Sequence, residues 1–392
     1  MKYMGHKGRI VGAIEKQIER VAGDAHALCD AFCGSGVVAW SLAEKFDRPV
    51  LAGDLQSFAT ARAAGVLSRT APVTEFAFVD RWFKRAEDLI EEITGDLRIP
   101  ATPEAQLKTK FIAPRKAVKK ARGYAAQTLR RVLRSNGHRW PITLAYAGYY
   151  YSIKQALVLD ALRQTLPSGP AERVVALSAL IGAASRCSAS PGHTAQPLGI
   201  GRKSLPHVIE AWNRLVFDYV RDEVIQIGPR YAKVQGEVKT TSWQKLLDHL
   251  SPGDVVFCDP PYSDVQYSRF YHVLETLSRG NVVEVSGTGR NPPFEERPVS
   301  EFSRKSKSKD EAEGLLRQAA ERELRLVITF PVTRQSNGLA AWTFAAKAQK
   351  YFSRVENREV ESVFSTLGGN GTAEHRPART ELVERIICCY SK

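Results

Sequence analysis

A strand, a glycine-containing turn, a helix and a second strand follow one another near the start of the chain. Residues 27–31 form a short apolar run that leads into the turn Asp30-Ala-Phe-Cys-Gly-Ser-Gly36. The pattern then predicts a helix over 37–45 and a strand over 49–53 that ends at Asp54. Because a helix joining two parallel strands crosses over in the right-handed sense, these residues predict the first unit of a parallel α/β sheet.

The glycine turn has the features of a ligand site. Its glycines let the backbone turn sharply and approach a ligand, and the next helix offers its N-terminus. The spacing Gly34-x-Gly36-x-x-Ala39 is compatible with a dinucleotide-binding turn, in which Asp54 would bind ribose hydroxyls. The motif predicts ligand binding at the sheet edge and leaves open which nucleotide binds. A tight structural turn is the alternative.

Strand patterns return only after residue 229, and helical patterns fill the middle of the chain. The predicted later strands are 231–234, 254–258, 324–330, 355–363 and 382–389. The predicted helices besides 37–45 are 8–21, 82–92, 149–164, 172–184, 205–225 and 340–352. We therefore predict a split α/β domain, residues 1–57 plus 229–392, interrupted by a mainly helical insertion at 58–228.

Positive charge is concentrated within this insertion. The chain has 56 Lys and Arg against 42 Asp and Glu, a net charge of +14. Residues 105–140 contain basic side chains and no acidic one: Lys108, Lys110, Arg115, Lys116, Lys119, Lys120, Arg122, Arg130, Arg131, Arg134 and Arg139. Such a run can follow a phosphate backbone, although a solvated basic helix has the same composition. A second basic cluster, residues 303–309, is predicted to be a mobile loop.

The composition and the cysteines exclude several classes of protein. With 43% hydrophobic and 25% charged residues, the chain can build a substantial core, which excludes a mainly disordered chain. Its 6 cysteines lack zinc-site spacing, so we expect reduced thiols and no metal site. No apolar run is long enough to span a bilayer, and the N-terminal residues do not resemble a signal peptide. These features predict a cytoplasmic protein without membrane contact.

The tetrapeptide Asp259-Pro-Pro-Tyr262 directly follows an apolar strand. Two prolines after a strand stop regular pairing and hold the backbone in an extended turn. The carboxylate is thereby held at the carboxyl end of the strand, with an aromatic ring nearby. This arrangement suits a planar amine, because Asp259 and the carbonyl of Pro260 can accept its two N–H bonds while Tyr262 stacks on the ring.

These motifs resemble those of the Dam-type DNA adenine-N6 methyltransferases in the alpha motif order. Lys2-Tyr-Met-Gly-His-Lys7 is similar to the family's N-terminal box, and Phe32-Cys-Gly-Ser-Gly36 and Asp259-Pro-Pro-Tyr262 are similar to its two central motifs. Further similar segments are Gln266-Tyr-Ser-Arg-Phe-Tyr-His-Val-Leu-Glu275, Phe302-Ser-Arg-Lys-Ser-Lys307 and Ser365-Thr-Leu-Gly-Gly-Asn370. The resemblance covers the two terminal parts of the chain and nothing specific in the middle.

The resemblance implies a fold, a cofactor and a reaction. The fold would be a Rossmann-like methyltransferase sheet, and the methyl donor would be S-adenosylmethionine. The implied cofactor-binding residues are Lys7, Asp30, Phe32, Cys33, Gly34, Gly36, Asp54 and, on looser spacing, Glu237. The implied catalytic residues are Asp259, Pro260, Pro261 and Tyr262. The target would be an adenine flipped out of double-stranded DNA, because a stacked base cannot reach a buried methyl donor.

The insertion would then be the target-recognition region. The implied DNA-binding residues are Lys116, Lys119, Lys120, Arg122, Arg130, Arg131, Arg134 and Arg139, with Arg304, Lys305 and Lys307 from the second cluster. Other polar or aromatic side chains are read either as DNA contacts or as packing: Arg186, His193, Tyr267, Arg269, Tyr271 and His272. A restriction or defence protein is a possible partner for such a methyltransferase.

Three alternatives remain open at this stage. A cytosine-N4 or RNA methyltransferase would use the same fold, but cytosine enzymes more often begin the tetrapeptide with serine. An NAD-dependent oxidoreductase would explain the glycine turn and leave Asp259-Pro-Pro-Tyr262 without a role. A non-catalytic DNA-binding module would have no use for an intact Asp259 and Tyr262.

Overall fold

The computed structural model of the chain describes residues 1, 3–95, 97–103, 111–134, 139–365 and 379–391. Lys108 and Lys110 of the basic segment lie outside the described residues, as do residues 366–370 of the last segment shared with the Dam-type enzymes. For residues 362–365 and 379–382 the structure describes the backbone only.

Seven strands in the described residues form one sheet in the order β3-β2-β1-β4-β5-β7-β6. They are β1 (Leu28–Asp30), β2 (Val50–Asp54), β3 (Glu237–Thr240), β4 (Val255–Cys258), β5 (Arg325–Pro331), β6 (Arg354–Ser365) and β7 (Arg379–Tyr390). Strands β1 to β5 pair in parallel, and β7 pairs antiparallel with both β5 and β6. The predicted α/β fold is therefore confirmed.

Helices make up most of the remaining described chain. They are α1 (Val11–Ala22), α2 (Val37–Lys45), α3 (Ser57–Leu67), α4 (Ala77–Thr94), α5 (Ile112–Tyr124), α6 (Arg130–Arg134), α7 (Pro141–Tyr146), α8 (Ile153–Gln164), α9 (Pro170–Cys187), α10 (Leu205–Trp212), α11 (Val216–Ile227), α12 (Trp243–Leu247), α13 (Tyr267–Arg279), α14 (Ser308–Glu321) and α15 (Ala341–Ala348). A π-helical stretch, Ala125–Leu129, joins α5 to α6. Within the described ranges, no helix combines the length and apolar character needed to cross a membrane.

Two predicted elements differ from the structure. The strand predicted at 231–234 is wrong, because these residues are irregular and β3 begins at Glu237. The single helix predicted at 205–225 is two helices, α10 and α11. The break follows α10 at Asn213, whose side-chain amide donates to the carbonyl oxygens of Ile209 at 2.7 Å and Pro103 at 2.8 Å. Asparagine commonly ends helices by such local bonds to the backbone.

The chain divides into two compact units. The α/β unit comprises residues 3–72, 230–268 and 298–392, and the helical unit comprises residues 1–2, 73–229 and 269–297. Compared with the predicted boundaries, α3 groups with the sheet, and residues 269–297 group with the helices. Short-range apolar patterns do not reveal this second difference, because residues 269–297 lie far in sequence from the insertion.

The sheet carries a buried apolar core. Alternate residues of β1, β4, β5 and β7 meet α12, α14 and α15 in a single buried cluster that includes Leu316, Ile328 and Phe344. Helices α1, α2 and α3 also pack on strands of this sheet, as expected for parallel strands covered on both faces. All six cysteines are buried thiols, including the core pair Cys388 and Cys389.

Asp254 connects the two central strands at their amino ends. Its carboxylate accepts the backbone N–H groups of His26 at 3.0 Å, Ala27 at 2.8 Å and Ser251 at 2.9 Å. The side chain is buried, with 2% of its surface exposed. Since β1 and β4 carry the two chemistry-bearing turns at their other ends, Asp254 helps to set the register between those turns.

We expect Asp254→Ala to lower the free energy of unfolding by about 2–3 kcal/mol, because three N–H donors lose a charged acceptor. Urea denaturation of the full chain measures this. Asp248→Ala is the matched control, since Asp248 forms only an exposed ion pair with Arg322 and should change the free energy by less than about 0.5 kcal/mol. Equal effects of the two substitutions would contradict the role of Asp254.

Candidate active site

The two central turns lie side by side at one edge of the sheet. Strand β1 pairs with β4 so that Asp30 is opposite Phe257, two residues before Asp259. The strand order reverses between these two strands, because β2 and β3 lie on one side of them and β5 lies on the other. In open parallel sheets, ligands bind at the carboxyl ends of the strands at such a reversal.

The glycine turn is held by its own backbone and by Asp54. Gly34 and Gly36 have φ values of +46° and +82°, a backbone region that favours glycine. The N–H of Gly34 donates to Oδ2 of Asp54 at 3.0 Å. A Cβ atom on Gly34 would lie 2.7 Å from the hydroxyl oxygen of Tyr3, so a larger residue would require the Tyr3 side chain to move. Gly36 is the N-cap of α2.

Asp54 serves both the turn and a cavity. Its Oδ1 accepts the backbone N–H of Gln56 at 2.9 Å, which orients the carboxylate from the second side. The side chain lines a cavity of about 250 Å³. From the sequence we predicted a ribose-binding carboxylate here, and the structure places Asp54 where it could serve as one.

The cavity spans the carboxyl ends of β1, β2, β3 and β4. Its lining includes the predicted residues Phe32, Asp54, Asp259, Pro261 and Tyr262. Further lining residues are Tyr3, Gln56, Thr241, Ser242, Trp243, Gln244, Gln266, Tyr267, Pro298, Val299, Ser300, Glu301 and Glu311. These predicted residues therefore share one space with other residues of the quoted segments, such as Tyr3 and Tyr267, and with residues outside them, such as Trp243 and Glu311.

A smaller recess of about 20 Å³ adjoins the glycine turn. It brings together the predicted residues Lys7, Asp30, Phe32, Cys33 and Gly34 with Asp259. Asp30 is buried, and burial together with the charges of Asp259 and Asp54 raises its pKa to about 8. A positively charged group in this recess would stabilise the carboxylate form of Asp30.

Lys7 lies between two carboxylates. Its Nζ is 3.0 Å from Oδ1 of Asp259 and 2.9 Å from Oε2 of Glu384, and both Lys7 and Glu384 are buried. Burial by itself lowers the pKa of Lys7, but the two carboxylates outweigh it and raise that pKa. Lys7 is therefore a cation held beside Asp259.

Burial also raises the pKa of Asp259, to about 6. Lys7 lowers this pKa, Glu384 raises it, and the hydroxyl of Thr329 lowers it by donating to Oδ1 at 3.0 Å. The pH at which Asp259 loses its proton therefore depends on Lys7, Glu384 and Thr329. Glu384 was not predicted; its one sequence signal is an acidic residue in an apolar strand.

The Pro-Pro turn is held by Asn337. Its side-chain amide donates to the carbonyl oxygens of Pro261 at 2.9 Å and Phe302 at 3.0 Å, and Asn337 is fully buried. The hydroxyl of Ser308 donates to the backbone carbonyl of Asn337 at 2.8 Å. Asn337 thereby joins the predicted catalytic turn to the loop before α14, a connection that no local motif announces.

Tyr262 is packed at the cavity wall. It is 7% exposed, and its ring meets that of Phe330 edge-on, with centroids 6.1 Å apart. Nζ of Lys7 lies 5.7 Å from the centre of the Tyr262 ring. Pro260 is buried and does not line the cavity, unlike its neighbours in the tetrapeptide.

Glu237 is not brought to this site. It begins the edge strand β3, opposite Leu51 in the register, and its carboxylate is 71% exposed and paired with Lys239. The carboxyl end of β3 and the following residues line the cavity instead. There, Oε1 of Glu311 accepts from Nε1 of Trp243 at 2.7 Å and from Nε2 of Gln244 at 2.9 Å.

The predicted DNA-binding residues of the helical unit differ in exposure and in the groups they contact. Lys116, Lys119 and Lys120 are exposed on α5, and Arg131 is exposed on α6. Arg130 and Arg134 both pair with the carboxylate of Glu284, at 2.9 Å and 2.6 Å. Two further predicted arginines make neutral contacts: Arg122 donates to the carbonyl of Gly148 at 2.7 Å, and Arg139 donates to Oδ1 of Asn281 at 2.9 Å.

The basic cluster at 303–309, predicted to be a mobile loop, is held at both ends by buried residues. Ser303 ends a short 3-10 helix and Ser308 begins α14, and both are buried. Between them Arg304, Lys305 and Lys307 are exposed, and Arg304 pairs with Glu301 at 3.2 Å. The cluster is thus an anchored turn beside the cavity-lining residues 298–301.

The residues that were read as either DNA contacts or packing also separate. Tyr271 and His272 are buried, and burial lowers the pKa of His272 to about 4. Tyr267 lines the cavity of the α/β unit. Arg269 is exposed and His193 is half-buried. Arg186 forms ion pairs with the carboxylates of Asp222 at 3.5 Å and Glu223 at 3.8 Å.

This sheet order, with a glycine turn and an Asp-Pro-Pro-Tyr turn at adjacent strand ends, defines an α/β methyltransferase fold. Residues 125–309 match the model of the D12 class N6 adenine-specific DNA methyltransferase family. The matched region contains Asp259 to Tyr262. The match also reaches back into the middle of the chain, where the motifs alone indicated nothing specific.

A short segment of the chain is also similar to a modification methylase. Modification methylase LlaI of Lactococcus lactis subsp. lactis is 46% identical to the chain over 75 residues. The aligned part is 19% of this chain and 11% of that protein. The similarity therefore concerns a short segment, and the chain spans only a small part of the relative's length.

We expect Asn337→Ala to destabilise the turn at Pro261, because two carbonyl groups would lose their shared donor, at a cost of about 1–3 kcal/mol. Hydrogen exchange of peptides covering residues 255–270 should become faster. Asn357→Ala on the exposed part of β6 is the control and should leave that exchange unchanged. Unchanged exchange in Asn337→Ala would show that other contacts hold the turn.

Proposed function

We propose that the chain is a DNA adenine-N6 methyltransferase that uses S-adenosylmethionine. The observation that carries the proposal is Asp259, a carboxylate held by Lys7 and Thr329 at the wall of the same cavity as Asp54. The D12 class match and the modification methylase name of the relative support the reaction and a restriction-modification setting. Because DNA would be the substrate, we retain the cytoplasm as the proposed location.

The site residues fit this cofactor. The recess beside Asp30 would accept the ammonium group of the methionine end, since a positive charge there would relieve the raised pKa of Asp30. Gly34 lines the recess with its backbone alone, because it has no side chain. The carboxylate of Asp54 would bind the ribose hydroxyls. When bound, S-adenosylmethionine would supply the methyl group from its sulfonium centre.

The side chains of the tetrapeptide would orient the target base. Lys7 and Thr329 both contact Oδ1 of Asp259, so we assign Oδ2 to the adenine amine. Tyr262 would stack on the base, a contact worth about 1–3 kcal/mol. The Pro260 carbonyl, predicted from the sequence to accept the second N–H bond, is buried beside the cavity and would have to become accessible to the amine. This alignment directs the nitrogen lone pair toward the methyl group, and Asp259 can take the proton that the nitrogen loses.

The structure also suggests a different role for Lys7 from the one implied by the resemblance. Its ammonium is held by Asp259 and Glu384, so we propose that Lys7 acts on Asp259 and does not bind the cofactor itself. We further propose that the basic side chains of the helical unit contact double-stranded DNA. The exposed lysines of α5 support this, because exposed cations can neutralise backbone phosphates.

We expect Asp259→Ala to reduce methyl transfer by about 10²–10⁴-fold while leaving S-adenosylmethionine binding within a few-fold, because the cofactor contacts lie elsewhere. Transfer of labelled methyl groups to DNA that lacks adenine methylation, with calorimetry of cofactor binding, measures both effects. Nucleoside analysis of the product reports N6-methyladenine or, for the rival reaction, N4-methylcytosine.

The control for this substitution is Asp264→Ala, which removes an exposed carboxylate from the segment that follows the same turn. It should retain activity within about two-fold, as surface substitutions usually do. Wild-type turnover in Asp259→Ala would refute the assignment of the catalytic residue, and methylcytosine as the product would refute adenine.

The acid limb of the pH–rate profile should follow the ionisation of Asp259. Because the amine needs an ionised acceptor, the single-turnover rate should fall below about pH 6, where Asp259 becomes protonated. Glu384→Gln removes the negative charge that raises this pKa, so the limb should move to lower pH. Lys7→Met removes the positive charge that lowers it, so the limb should move to higher pH. An unchanged midpoint in both variants would exclude Asp259 as the titrating group.

A further inference from the structure

The helical unit contains a second cavity, of about 300 Å³, which the proposed reaction does not use. Four arginines line it, and they come from separate parts of the sequence. The lining residues are Arg139, Pro141, Asp160, Arg163, Gln164, Arg173, Arg279 and Gly280. A cavity of this volume lies at the lower end of the range seen for small-molecule sites.

Neutral groups hold three of these arginines in place. Arg163 donates from Nε to the carbonyl of Leu277 at 3.1 Å and from Nη2 to that of Ser278 at 2.8 Å. Arg139 and Arg173 likewise donate to an amide oxygen and a backbone carbonyl, at 2.9 Å and 3.4 Å. These contacts orient the guanidinium groups without cancelling their charge.

Carboxylates compensate little of this charge. Among the described residues, Arg279 is the cavity arginine with an ion pair, to Glu275 at 2.6 Å. Asp160 also lines the cavity, but it is buried and accepts from the N–H groups of Ile142 and Thr143 and from the Thr143 hydroxyl. Burial raises the pKa of Asp160 to about 7, while these three donors lower it, and its carboxylate oxygens are occupied by them.

The arginines therefore repel one another. Burial and the neighbouring charge of Arg173 lower the pKa of Arg163, which is the direction expected when cations gather without an anion. Guanidinium groups bind phosphate oxygens through paired N–H donors, and several of them around one space match a group with several acceptor oxygens.

We propose that this cavity binds a phosphate group through Arg163 and Arg173, with Arg139 and Arg279 at its rim. The phosphate could be a phosphodiester of DNA or the phosphate of a small molecule, and both present the same oxygens. The proposal concerns binding to the helical unit and holds whether or not the α/β unit transfers methyl groups.

The experiment uses the full chain and two probes. The first probe is inorganic phosphate, compared with chloride at equal ionic strength, with thermal unfolding as the readout. At about ten times its dissociation constant, phosphate should raise the melting temperature of the wild type by about 2–4 °C. The second probe is a DNA duplex of about 30 base pairs, titrated at several salt concentrations to obtain the salt dependence of binding.

The test variant is Arg173→Gln, which removes one long contact to a backbone carbonyl and should keep its wild-type melting temperature in chloride. Arg163→Gln is the second variant. Arg221→Gln is the matched control, because Arg221 is an exposed arginine of the same unit that pairs with Asp80 outside the cavity. The control should behave like the wild type with both probes.

Loss of phosphate stabilisation in both cavity variants supports the site. If each variant also makes the plot of log binding constant against log salt less steep by about one, the phosphate belongs to DNA. If that slope is unchanged, it belongs to a small molecule. A changed slope without phosphate stabilisation also assigns the site to DNA. Equal phosphate stabilisation in wild type and variants, or no effect of either probe, overturns the proposal.

Discussion

The buried contact of Lys7 with Asp259 and Glu384 is the interaction on which the candidate active site most depends. It joins three distant parts of the chain: the N-terminal segment, the end of β4 and the strand β7. Removing one partner from a buried ion pair is costly, because the remaining charge keeps no compensation. The position of the Asp259-Pro-Pro-Tyr262 turn is therefore coupled to the correct pairing of β7 in the sheet.

Three carboxylates at the same sheet edge acquire different properties from their neighbours. Asp54 is fixed by two backbone N–H donors and faces the cavity. Asp30 is buried beside other acids, which raises its pKa to about 8. Asp259 is half-buried, and the cation of Lys7 limits the rise of its pKa to about 6. One residue type can thus serve ribose binding, cation binding and amine binding, because burial and partners differ.

The net charge of +14 is also distributed unevenly. On α6, Arg130 and Arg134 share the carboxylate of Glu284, so part of the basic segment is neutralised within the protein. The lysines of α5 remain exposed, and the arginine cavity of the helical unit retains most of its charge. A count of basic residues therefore overstates some contacts with an anionic partner and does not reveal the cavity at all.

The sequence by itself determined the parallel α/β sheet and placed the glycine turn and the Asp259-Pro-Pro-Tyr262 turn at the ends of strands, because each of these features depends on neighbouring residues. The strand predicted at 231–234 is wrong, because a short apolar run does not determine which residues pair. Glu237 does not line the cavity, because the strand register places it at the amino end of β3, opposite Leu51. Tertiary structure alone brought Glu384, Asn337, Trp243 and Glu311 to the cavity region and gathered the four arginines. These contacts join residues far apart in the chain, and such pairings leave no local pattern.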